Sequence, residues 1–185
     1  MPNAKKVQQR KTIDKILTWL GVLATVVLLA AGGLAWWTYH FTTKNVHDEL
    51  ISQKVYFPPK GSAALDPQEF PTLQKYAGQQ VDNGPKAKAF ANDFIAKHLE
   101  KVADGKTYAE VSAEAQADPA NQQLQQQAQT LFRGETLRGL LLGDAYAFWT
   151  VGHIAQIAAL IFFAAGGVMA ILVLLGFWHL MITRA

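Results

Sequence analysis

Two stretches of this chain contain no Lys, Arg, Asp or Glu: residues 16–43 and 145–183. A bilayer's hydrocarbon core is about 30 Å thick, so about 20 apolar residues of helix cross it. Both runs exceed that length. The buried helix of a soluble protein rarely runs so far without a charge, which excludes an ordinary soluble reading. Residues 44–144 have normal polar composition. The expected fold class is therefore an all-α membrane protein. It has two antiparallel transmembrane helices with long outward extensions, and an extracytoplasmic helical domain between them.

The expected boundaries follow from charge and aromatic residues. Residues 1–15 form a basic cytoplasmic tail with Lys5, Lys6, Arg10, Lys11 and Lys15 against Asp14 alone. Residues 16–40 form transmembrane helix 1, and residues 41–145 the extracytoplasmic α-helical domain. Residues 146–182 form a long helix containing transmembrane helix 2, with its core at about 157–178. Residues 183–185, with Arg184, are a cytoplasmic C-terminus. The middle carries eleven Lys and Arg against thirteen Asp and Glu. The positive-inside rule thus keeps both termini in the cytoplasm and places the middle outside a plasma membrane. The first run is too long for a signal-peptide core of about 7–15 residues, and no clean small-residue cleavage site follows it. An interfacial belt is expected from Trp19, Trp36, Trp37, Tyr39, Trp149 and Trp178, since Trp and Tyr favour membrane–water boundaries.

Ala30-Ala31-Gly32-Gly33 recurs as Ala164-Ala165-Gly166-Gly167. Measured from Trp19 and Trp178, both patches fall about 18–20 Å above the inner interface. Small residues let membrane helices approach closely. Ala30, Gly32, Gly33, Ala164, Gly166 and Gly167 are therefore expected to pack helices, within one chain or between chains.

The middle reads as helices. Val46, Leu50, Ile51 and Val55 extend the first helix outward until Phe57-Pro58-Pro59-Lys60-Gly61 breaks it. Asp66-Pro67-Gln68-Glu69 predicts a capped helix running to about residue 80. Asn83-Gly84-Pro85 is the next break. Ala87, Phe90, Ala91, Phe94, Ile95, His98, Leu99 and Val102 predict an amphipathic helix ending at Asp104-Gly105. Thr107-Tyr108-Ala109-Glu110 is a capping box, and Asp118-Pro119 ends the helix it opens. From Ala120 a Gln-rich helix with Leu124, Ala128, Leu131 and Phe132 runs on into the second apolar run, bending at Gly134, Gly139 and Gly143.

Chemistry-bearing patterns are sparse. The chain has no cysteine, which removes disulfides, thiolate metal sites and a Cys nucleophile. No Walker loop, dinucleotide fingerprint, GxSxG elbow or kinase set is present. Neither apolar run holds the acidic or basic residue that pumps and ion transporters use. Thr25 and Gln156 are the obvious polar side chains for a pore. His40 and His153 are candidate cofactor ligands near the outer interface, for a haem or quinone. No metal site and no cofactor are expected. The basic pI of 9.1 is carried by the flanks and gives no argument for nucleic acid.

The stretch Gly105-Lys106-Thr107-Tyr108-Ala109-Glu110 and the segment from Thr130 to Gly139 running into a final span carry a resemblance. With the basic start and first span, they resemble a group of small two-span membrane proteins of actinobacteria. Many of those go under the label of aromatic ring-opening dioxygenase. Such an enzyme needs iron held by histidines and a carboxylate, and these residues supply no such set. The resemblance thus implies a plasma membrane protein and transfers no functional residue. The function expected is non-catalytic. The extracytoplasmic helical domain self-associates or docks a membrane-protein partner, with the lipid bilayer as its other neighbour. The alternatives are a homo-oligomeric pore, and a lipid, quinone or haem sensor or accessory subunit.

Overall fold

The computed structural model describes residues 2–182, with side chains from residue 8 on. The expected cytoplasmic residues 183–185 lie outside the described residues. The described residues are helical and contain no strand; Tyr56 and Gln80 form one isolated antiparallel bridge. Helix α1 spans Pro2–Gln53, α2 Gly84–Ala89, α3 Ala96–Ala103, α4 Tyr108–Ala117, α5 Gln122–Leu140 and α6 Ala147–Ile182. A π-helical turn, Phe90–Ile95, joins α2 to α3, and another, Leu141–Tyr146, joins α5 to α6. The chain divides into two compact units. One comprises the residues up to His40 and from His153 on. The other comprises Phe41–Gly152, reaching further along α6 than the expected limit of 145.

In the first unit, α1 and α6 each hold a segment long and apolar enough to cross a membrane. They pack antiparallel. Thr18 meets Gly176, Gly21 meets Val173, Leu29 meets Gly166 and Gly32 meets Phe163. Trp19 sets its ring edge-on to Phe177, centroids 6.0 Å apart. The hydroxyls of Thr18 and Thr25 donate back to the carbonyls of Asp14 and Gly21, each at 2.8 Å, so the helix satisfies its own polar side chains. The remaining faces expose large apolar side chains, among them Leu23 at 60% and Leu174 at 67%.

The helical unit has a filled core. Its largest fully buried side chains are Phe57, Phe70, Leu65, Leu73, Val81 and Val111. Val46 and Leu50 on the end of α1 join it. The helix stops at Gln53, before the prolines, because Lys54 turns left-handed at φ 54°. Gln80 Nε2 then donates to the Ile51 carbonyl at 2.8 Å, satisfying one acceptor at the helix end. Phe57 faces Tyr76 at 5.3 Å and Phe90 at 5.1 Å, so the Phe-Pro-Pro turn is plugged into the core.

The helix expected from Asp66 to residue 80 is absent. Instead the chain makes 3₁₀ turns at Ala63–Leu65 and Pro71–Tyr76. Pro71 is the cause. A helix starting at Pro67 would place it inside the first turns, where its ring meets the carbonyl four residues back. It also pushes Phe70 out of helical geometry, to φ −121° and ψ 55°. Asp66 closes a turn by accepting from the Gln68 amide at 2.7 Å.

The amphipathic stripe begins as expected, with Asn83 accepting from the Lys86 amide at 3.0 Å and Ala87, Phe90 and Ala91 buried. It then changes phase. The π turn takes up one more residue per turn than an α-helix. Ile95, Leu99 and Ala103 become the buried series, and Val102 is turned outward, 39% exposed. Asp104 ends the helix at φ 51°. Along α5, Leu131 is buried, while Phe132 is 56% exposed and leans on Tyr108 at 5.7 Å. The glutamines of α5 have a structural use. Gln125 donates to the Ala115 carbonyl at 2.5 Å, and Gln127 to that of Val102. Each thus covers an acceptor in the last turn of a neighbouring helix.

The capping box forms in full. Glu110 N–H donates to Thr107 Oγ1 at 3.3 Å, and the Thr107 N–H donates to the Glu110 carboxylate at 2.7 Å. The Thr107 amide, then its hydroxyl, hold the Glu110 carboxyl below the usual carboxylate range. A depressed folded pKa contributes stability above the unfolded value, and that contribution is lost as pH falls through the folded one. Thr107→Ala should cost about 0.5–2 kcal/mol at neutral pH. The deficit should shrink in acid, as pH falls below the range where carboxylates ordinarily titrate and Glu110 in the parent protonates. Urea midpoints of both proteins at neutral and acid pH check this; equal deficits would refute the reciprocal cap.

Candidate functional site

The expected site residues scatter. His40 and His153 are both ring neighbours of Tyr39, at 5.0 and 5.6 Å. Trp36 leans on His40 at 5.0 Å and on Tyr39 at 5.7 Å. The two histidines thus share one aromatic cluster. Among the described residues, no three His, Cys, Asp or Glu side chains come together in a way that could hold a metal ion. His47 lies apart, its Nδ1 2.8 Å from the Asp82 carbonyl, and His98 stacks on Phe70 at 5.5 Å.

The small-residue patches split into two faces. Gly32 and Gly166 are buried between the apolar helices: a Cβ on Gly32 would lie 2.8 Å from the Phe163 ring, and one on Gly166 2.9 Å from Leu29. Gly33 and Gly167 have open space around them, and Ala30 and Ala164 are exposed. The contact inside one chain therefore uses one glycine of each pair.

Of the belt residues, Trp19, Trp36, Trp37 and Trp178 are exposed, and Tyr39 is half-buried within its cluster. Trp149 is different. It belongs to the helical unit and lies over Gly84, whose missing side chain leaves the room: a Cβ there would sit 2.4 Å from Trp149 Cγ. It packs, partly buried, at the edge of the core.

The feature that did not emerge from sequence is a cleft in the helical unit, about 470 Å³ in volume. One wall is the end of α1, with Asn45, Glu49 and Gln53 at its rim. The other is the end of α5, the second π turn and the start of α6. Val46, Leu50, Leu141 and Ala145 are buried and make the floor. Leu140, Phe148 and Val151 line it and remain exposed. Gly143 also faces the cleft, and a Cβ there would meet nothing within 4 Å. Two carboxylates, Glu49 and Asp144, line it, and no basic residue does. The spacing of Asn45 and Glu49, and of Leu140, Asp144 and Phe148, is the helical face signal that could have marked it.

Other polar arrangements are structural. Arg138 clamps Glu135 with two hydrogen bonds near 3 Å and donates from Nε to the Ala91 carbonyl, tying α5 to the first π turn. Lys106 pairs with Glu114 at 2.7 Å. Lys88 donates to the Tyr146 hydroxyl at 3.3 Å and holds its pKa below the usual phenol value. No nucleophile with an adjacent base is present among these groups. No known family model, curated protein or solved structure matches the chain.

Proposed function

We propose that the chain is a two-pass plasma membrane protein that presents its helical unit outside the cytoplasm as a non-catalytic docking or self-association module. One observation carries the membrane part: the exposed apolar surface of the antiparallel pair. Side chains such as Leu23, Leu34, Ile161 and Leu174 stand 60% or more exposed, a surface far beyond what a soluble protein leaves to water. The basic residues flanking the first run support an inward N-terminal segment.

The docking role is supported by the helical unit itself. Its core is filled, and it has an open cleft. A pore gains less support, because the Thr25 hydroxyl is taken up by its own helix. Self-association is supported by the outward Ala30 and Gly33 on α1 and Ala164 and Gly167 on α6.

The cysteine-free sequence makes topology directly testable. In intact cells, an impermeant maleimide should label Ala113→Cys, on α4, and should label Gln9→Cys only after permeabilisation. The reverse pattern would overturn the orientation, and labelling of neither before lysis would overturn the two-pass reading. The native mass after gentle extraction should exceed that of one chain. Gly33→Leu should lower it, since this position faces away from the chain's own partner helix. A mass of one chain for the parent protein, with no co-extracted partner, would overturn the docking role.

A further inference from the structure

We propose that the cleft between the end of α1 and the α5–α6 junction binds a cationic amphiphile, an ammonium group carried on an apolar chain. Three features point to this class. The floor is apolar, built from Val46, Leu50 and Leu141, while exposed Leu140, Phe148 and Val151 extend the apolar lining. The volume, about 470 Å³, lies in the range of small-ligand pockets and is too small for a helix about 10 Å across with its side chains. The ionic groups are of one sign. Glu49 and Asp144 have no ion-pair partner among the described residues, in contrast to Asp48, which pairs with Lys44, and Asp82, which pairs with Lys86.

Two uncompensated carboxylates beside an apolar floor favour a positive head with a greasy tail over a neutral or anionic one. The π turn contributes by presenting Gly143 and Asp144 together on the wall, the first leaving space and the second supplying charge. The inference goes beyond the docking role and needs no particular orientation of the chain in a bilayer.

The test uses the full chain in neutral maltoside micelles, with hexadecyltrimethylammonium, hexadecyl sulfate and hexadecanol as probes, counted by native mass spectrometry. One ammonium amphiphile per chain should be retained, at least tenfold more tightly than the sulfate. Glu49→Gln with Asp144→Asn should bring ammonium retention down to the level of the alcohol and leave the alcohol unchanged. Gly143→Leu should abolish retention of all three, since its side chain enters open space. Equal retention of ammonium and sulfate would overturn the proposal, as would ammonium binding unaffected by the double carboxamide variant. If Gly143→Leu lowers helix content, the carboxamide pair decides alone. None of these outcomes bears on topology or native mass, so failure here leaves the docking proposal to its own tests.

Discussion

Phe57→Ala should unfold the helical unit at lower urea than any other single truncation in the Phe-Pro-Pro turn. Phe57 is 1% exposed and sits between Tyr76 and Phe90, in a core cluster that also includes Val46 and Leu50 of α1. Removing a buried phenyl ring typically costs about 3–5 kcal/mol, part transfer and part cavity. With a urea dependence of about 1–3 kcal/mol per molar, the midpoint should fall by about 1 M or more. Circular dichroism of the full chain in neutral detergent reads it, because the apolar helices keep their signal while the helical unit loses its own. A midpoint within about 0.3 M of the parent would mean that Phe57 is not in a packed core.

Gly84→Val should be nearly as damaging for the opposite reason. Any side chain at Gly84 collides with Trp149: the first carbon would lie 2.5 Å from Trp149 Cβ and 2.4 Å from Cγ. These atoms are at the root of the indole and cannot swing away as a side-chain tip can. Overpacking of this kind costs about 1–3 kcal/mol. The added methyls either expel the indole or move the start of α2. Trp149→Leu in the Gly84→Val background should recover part of the loss, whereas in the parent it should only destabilise. Urea midpoints of the four proteins give the coupling. Strict additivity would show that the two residues do not touch.

Much of this architecture is legible in the residues, for reasons that are local. Asn83 with Pro85, the Thr107 box, Asp104-Gly105 and Asp118-Pro119 act on the backbone a few residues away and do so in the structure. The two uncharged runs are legible because a missing charge over that distance has few explanations. What escaped reading depends on more than one segment. Pro67 is a good first residue of a helix, but Pro71 forbids its continuation. Trp149 stands at the head of an apolar run, where aromatic residues usually mark an interface. Gly84, sixty-five positions earlier in the chain, supplies the recess that makes it a packing residue. The cleft joins residues 45–53 to 137–151, and neither segment alone is concave.

The first π turn bears on how kin of this chain should be compared with it. A π turn is one residue more than the α-helix it interrupts, so a relative lacking that residue would have an unbroken helix. Each residue turns an α-helix by about 100°. In that relative the rest of the helix keeps its phase, so the counterparts of Leu99 and Ala103 stay inward and that of Val102 stays outward, each one position earlier in the sequence. Alignments of this segment without a one-residue gap would pair core positions with solvent positions from residue 95 to the end of α3. Genealogical searches should therefore allow that gap there before scoring similarity.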